Sequence, residues 1–122
     1  MPLAFEAYSE LLILEYPLRC RDFSGIYDRV RRTALGTRRK GKPATEICQA
    51  VDLAAVFYFR KVLCLQRSAA TVCLLKRYGF AAQLVIGVQQ LPFAAHAWVE
   101  LDGAVINDKS YVSDIYPVLE RC

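Results

Sequence analysis

The spacing of the apolar residues changes once along this chain, at Gly79, and that change restricts the fold more than any other feature. Before it the period is helical. Leu3, Ala7, Leu11 and Leu14 form one stripe, widened by Ala4, Tyr8 and Leu12, and Pro17 is expected to end this first helix. A second helix is predicted from about Phe23 to Leu35, followed by an exposed loop over residues 36–43 rich in glycine, proline and positive charge. Thr45 is the expected N-cap of a third helix, with Glu46 in its first turn and a stripe of Ile47, Val51, Ala54, Ala55 and Tyr58. A fourth helix is predicted from Cys64 to Tyr78, closing at Gly79, with Leu65, Ala69, Val72 and Cys73 turned to the core. Beyond Gly79, residues 84–88 and 95–101 read as strands, Asp102-Gly103 as a turn and 104–108 as a returning strand. Helices first and an antiparallel sheet after them predict an α+β domain, the N-terminal helices packed on the sheet.

A chain of 122 residues can bury one core without disulfide staples. We therefore expect a single domain over 1–122, with a helical part over about 1–44 and a core over about 45–122. Five cysteines, odd in number and with no C-x-x-C pair, do not suggest a structural zinc site. The first residues lack a basic signal-peptide region, and Glu6, Glu10 and Glu15 interrupt the first apolar segment. No stretch reaches the roughly 18 apolar residues of a membrane span. Free thiols and a cytoplasmic location are the expectation. The apolar fraction of 55% exceeds the roughly 45–50% of ordinary soluble domains, which implies either a thick core or a surface patch that a partner covers. The net charge of +4 is concentrated at Arg29, Arg31, Arg32, Arg38, Arg39, Lys40 and Lys42. These read first as a solvated helix end and loop, and second as a docking site for an acidic partner. No pattern of a nucleic-acid-binding module accompanies them, so a nucleic-acid partner is not expected.

The chain has one histidine, His96, set between small residues at the start of a strand. A three-residue hairpin loop, Leu101-Asp102-Gly103, would pair Glu100 with Ala104, Trp98 with Ile106 and His96 with Asp108, placing imidazole and carboxylate on one face. A two-residue loop would instead set Asp108 across from Ala97, on the opposite face. A carboxylate beside one imidazole nitrogen fixes the tautomer and stabilises the imidazolium, the third-group role in a catalytic triad. The nucleophile that fits is Cys64. At the start of the fourth helix, unpaired N–H groups and the helix dipole stabilise a thiolate and can contribute to an oxyanion hole. Cys73, nine residues on, falls on the opposite helix face and reads as core, as does Cys48. Ser68, Ser110 and Ser113 sit in no G-x-S-x-G elbow, and a single imidazole gives no H-E-x-x-H metal motif. Neither cofactor nor metal is called for. Trp98 is read as core beneath the site, and Gln66 and Arg67 are left to substrate or helix-end contacts.

A cysteine at a helix N-terminus, followed by histidine and aspartate on successive strands, resembles the transglutaminase-like, papain-like cysteine peptidase fold. Cys64-Leu65-Gln66-Arg67-Ser68, Leu84-Val85-Ile86-Gly87-Val88, Ala95-His96-Ala97-Trp98-Val99-Glu100 and the run from Gly103 to Asn107-Asp108 are similar to the peptidase domain of lasso peptide biosynthesis B proteins. The likeness is closest from about Thr45 to Asp108. It implies a cysteine peptidase with Cys64, His96 and Asp108 as catalytic residues, acting on the leader of a ribosomally made precursor peptide, with a preference for threonine just before the leader's end. It also implies partners: the precursor, a separate leader-recognition protein that a chain this short has no room to include, and an ATP-using cyclase that closes the macrolactam. Two other chemistries fit the same triad residues, acyl transfer to an amine through the same thioester and a non-catalytic adaptor that only binds peptide.

Overall fold

Helix α1 spans Leu3–Arg19, α2 Phe23–Arg32, α3 Ala44–Val56 and α4 Cys64–Arg77; strands β1 (Ala82–Gln90), β2 (Phe93–Leu101) and β3 (Ala104–Val105) follow, then a single turn of helix, α5 (Val112–Ile115), and β4 (Val118–Arg121). This is a computed structural model of the chain, and it describes residues 3–20, 22–36, 43–90, 93–108 and 111–122. The α+β order expected from the change of period is the order observed.

Several boundaries differ from expectation, each for a local reason. Helix α1 does not stop at Pro17 but runs to Arg19. A proline so near the end forfeits only the ladder bond of its own missing N–H, and the Cys20 N–H still closes on the Tyr16 carbonyl at 3.1 Å. Helix α2 is capped by Asp22, whose side chain accepts from the Gly25 N–H at 3.0 Å. It ends at Arg32, before Leu35, because the chain turns off to pass α4 closely: the Gly36 N–H donates to the Lys76 carbonyl at 2.7 Å, and a Cβ on Gly36 would stand 2.1 Å from the Arg77 carbonyl oxygen. In α3 the N-cap is Pro43, not Thr45. Pro43 supplies the extended backbone and its carbonyl accepts from the Glu46 N–H, which leaves Thr45 inside the first turn. Gly79 closes α4 as expected, at φ 91°, with the Phe80 N–H returned to Leu75 and the Gly79 N–H to Lys76.

Helix α4 is the centre of the molecule, packed against α1, α2 and α3 on one side and β1 and β2 on the other. Its middle, Ser68 to Leu75, is buried on every side, whereas the sequence pointed to a one-sided stripe. A helix apolar or small all round is the form a fully enclosed helix takes. The main core joins Leu11 and Leu14 of α1, Ile26 and Val30 of α2, Ile47 and Val51 of α3, most of α4, and the helix-facing side of the sheet. The apolar excess divides between this core and exposed side chains such as Phe5, Val56, Phe57 and Phe59. Charge also goes inside. Glu10 of α1, fully buried, is held by Arg29 of α2 at 3.0 Å and Arg77 of α4 at 2.6 Å, and Glu6 is bonded to the Tyr78 hydroxyl.

The sheet is antiparallel with strand order β3-β2-β1-β4. Gly87 of β1 faces His96 of β2 across the pair. The β2–β3 hairpin contradicts the expected three-residue loop. Asp102 (φ 53°) and Gly103 (φ 80°) form a two-residue turn with both central residues in the left-handed region, the turn whose twist matches its strands. Leu101 therefore faces Ala104 and Glu100 faces Val105, one residue away from the register that pairs His96 with Asp108. Strand β3 is two residues long where 104–108 was expected. Strand β4, which sequence reasoning did not identify, pairs with β1 through an irregularity at Ile86/Gly87.

Candidate active site

Cys64 is the first residue of α4 and half-buried. Leu63 before it has extended backbone (φ −84°, ψ 164°), and its carbonyl accepts the first ladder bond from Arg67 at 3.0 Å. The opening N–H groups of α4 thus have no partner within the helix, at the end where its dipole is positive. This helix end is fixed from behind. The Gln66 amide, 1% exposed, donates to the Leu11 carbonyl at 2.9 Å and to Glu15 at 3.2 Å. The Tyr58 hydroxyl lies within bonding distance of the same two groups. Gln66 is therefore a strut between α4 and α1 and not a substrate contact. Arg67 points to Asp52 on α3, at 4.0 Å.

His96 stands on β2 with its Nε2 bonded to Asp108 Oδ2. The pairing that the hairpin argument sought is present although its register is not. The chain leaves the sheet after Val105, and Asp108 reaches His96 from a bend rather than from a strand. With Nε2 engaged, Nδ1 is the nitrogen left for proton transfer. Trp98 and Tyr116 flank the imidazole, with ring centres 6.1 Å and 5.3 Å away. Trp98 is fully buried in a small cluster with Val85 and Val112, its indole N–H on Glu100 at 3.0 Å, which agrees with its reading as core beneath the site. Gly87 makes this possible: a Cβ there would occupy the space of the indole.

Cys64 and His96 line one open groove of about 360 Å3, whose other walls include Leu18, Phe23, Leu63, Val88 and Leu119. No hydrogen bond joins the thiol to the imidazole among the described residues. The remaining thiols differ in setting. Burial pushes Cys48 up to about 11, with Asp52 adding to the effect, and also raises Cys73 and Cys122; Cys20 is exposed and does not line the groove. Ser68 is buried and donates to the Ala97 carbonyl at 3.2 Å. Ser110 lies outside the described residues, as does the side chain of Ser113. Of the basic stretch, Arg29 turns inward to Glu10 and Arg31 pairs with Glu120 at 2.7 Å, while residues 38–42 lie outside the described residues. No described helix is long and apolar enough to cross a membrane.

Residues 11–121 match the family model described as the transglutaminase-like superfamily. The chain is also 39% identical over 70 residues to the "Microcin J25-processing protein McjB" of Escherichia coli, a match covering 56% of this chain and 34% of that protein. The chain thus spans about a third of the length of the curated relative it matches. No solved structure matches it.

Proposed function

This chain belongs to the transglutaminase-like superfamily, and we propose that within it the protein is a cysteine peptidase that removes the leader from a ribosomally made lasso peptide precursor. Cys64 is the nucleophile, His96 the base and Asp108 the residue that orients it. The observation that carries the reading is the shared groove: a cysteine at a helix N-terminus and a carboxylate-bound imidazole line the same cleft. The likeness to a protein named for microcin processing, together with the resemblance to lasso peptide B proteins, supports the substrate class.

The chemistry follows from the placement. His96 Nδ1 takes the Cys64 proton, and the thiolate attacks the scissile carbonyl. The opening N–H groups of α4 stabilise the oxyanion. The imidazolium, held by Asp108, protonates the leaving amine, and water resolves the thioester with His96 again as base. A separate leader-recognition protein presents the precursor, and an ATP-using cyclase consumes the freed core peptide, all in the cytoplasm.

The test is mass spectrometry of a lasso precursor incubated with the purified chain, with and without a leader-binding protein. Expected are a single cut at the leader–core junction, enhancement by the partner, and loss of cleavage in Cys64→Ala. Product that forms only when an acceptor amine is supplied would assign the thioester to acyl transfer. Binding without turnover would assign the chain to an adaptor role.

A further inference from the structure

Asp108 is delivered to His96 against the register of the hairpin. With Leu101 facing Ala104 and Glu100 facing Val105, an uninterrupted third strand would carry Asp108 to a position opposite Ala97, on the other face of the sheet. The ladder keeps that register for one bond more, from the Ile106 N–H to the Val99 carbonyl at 3.1 Å. There it breaks. The Val99 N–H, which a continued strand would give to the Ile106 carbonyl, goes instead to Asn107 Oδ1 at 2.8 Å. The amide of the same side chain donates to Ser68 Oγ at 3.2 Å, and the Ser68 hydroxyl donates onward to the Ala97 carbonyl at 3.2 Å. Ser68 is fully buried, so its bond to Ala97 forms where water does not compete for it, and the two Asn107 bonds are part-buried. Ser68 also lies one helical turn beyond Cys64 on α4. One carboxamide therefore joins the helix that carries the thiol, the strand that carries the imidazole and the bend that carries the carboxylate.

We propose that Asn107, seated on Ser68, is a positioning residue of the triad: its side chain takes the place of a strand carbonyl, turns the chain out of the ladder and so sets Asp108 against His96. The proposal rests on the peptidase reading for its effect on rate, but not for its effect on the imidazole, and the two are measured separately. Because His96 is the chain's one histidine, proton NMR of the folded protein should show one low-field resonance from the Nε2–H bonded to Asp108. Asp108→Ala should abolish it, Asn107→Ala should abolish or strongly weaken it, and Ser68→Ala, which spares the Val99 bond, should weaken it less. In precursor cleavage, Asn107→Ala should lower kcat about tenfold to a hundredfold with KM unchanged, the scale of a misplaced catalytic group. Asp108→Ala should cost about a thousandfold or more, and adding Asn107→Ala to it should cost nothing further, because Asn107 acts through Asp108.

A folded Asn107→Ala protein with the resonance intact overturns the proposal, as does a double variant whose losses add. Should Asn107→Ala not fold, Ser68→Ala decides, and an unchanged resonance in it overturns the proposal. A resonance that responds as expected in a protein that cleaves no precursor supports the positioning role and removes the peptidase reading instead.

Discussion

Substituting alanine for Gly87 tests how tightly the sheet beneath His96 is fitted. A Cβ at this position would stand 2.6 Å from the Tyr116 carbonyl oxygen, 2.7 Å from Trp98 Cη2 and 2.8 Å from Trp98 Cζ3, all closer than real methyl carbons approach. Neither neighbour yields cheaply. The first is backbone, and the indole is fully buried with its N–H committed to Glu100. Overpacking of this kind costs about 1–3 kcal/mol. At about 4 °C per kcal/mol for a domain of this size, the melting temperature should fall by about 4–12 °C. The disturbance also reaches the site, because the displaced groups belong to Trp98 and Tyr116, the two residues whose rings stand beside His96. The assay is thermal denaturation followed by circular dichroism, paired with precursor cleavage, for Gly87→Ala, Trp98→Phe and the double variant. A phenyl ring is shorter than an indole and vacates the positions of the two clashing indole carbons, leaving only the Tyr116 oxygen, so the double variant should be about 1 kcal/mol more stable than the summed losses predict. An alanine variant that melts with the parent, or a strictly additive double variant, would refute the reasoning.

Two further predictions concern stability. Removing both guanidiniums in Arg29→Met/Arg77→Met leaves Glu10 buried without its partners and should cost about 3–5 kcal/mol. In Glu10→Met, by contrast, the two arginines, each with 36% of its side chain exposed, can turn to water, and the loss should stay below about 1.5 kcal/mol; equal losses in urea denaturation contradict this asymmetry. Burial, reinforced by the Glu15 carboxylate, pushes the Tyr58 phenol up to about 12. In the unfolded chain it ionises near its ordinary value of about 10. The neutral phenol therefore favours the folded state fully below about pH 10, and that contribution is lost as the pH climbs to about 12. Tyr58→Phe should lose less stability over that interval, read as urea midpoints at successive pH values, and an equally steep decline in both proteins would show the assignment to be wrong.

The parts of this structure legible in the sequence are those written in local pattern. Gly79 closes α4, the change of period marks where helix gives way to sheet, and Cys73 falls in the core because of its angle from Cys64. What escaped depends on partners distant in the chain. Glu6, Glu10 and Glu15 read as interruptions of an apolar segment, but each faces a group from another helix or loop: Tyr78, the Arg29–Arg77 pair, and Tyr58 with Gln66. Nothing within α1 announces those partners. Strand β4 was missed because four residues with alternate exposure, including Glu120 and Arg121, lack the apolar run that marks a strand. The juxtaposition of His96 and Asp108 was inferred from a loop of the wrong length. The turn chemistry of Asp102-Gly103 sets one register, and the Asn107 side chain then undoes its consequence for Asp108, a compensation that strand periodicity does not encode.

Trp98 is the chain's one tryptophan, as His96 is its one histidine, and their ring centres lie 6.1 Å apart with the planes inclined at 29°. Indole fluorescence in this protein is accordingly a signal from a single place. Its intensity and colour report on the buried cluster that Trp98 forms with Val85 and Val112, and on the imidazole beside it. No dye or engineered label is needed to follow this corner of the molecule, and a substitution elsewhere that leaves the emission spectrum unchanged has left it in place.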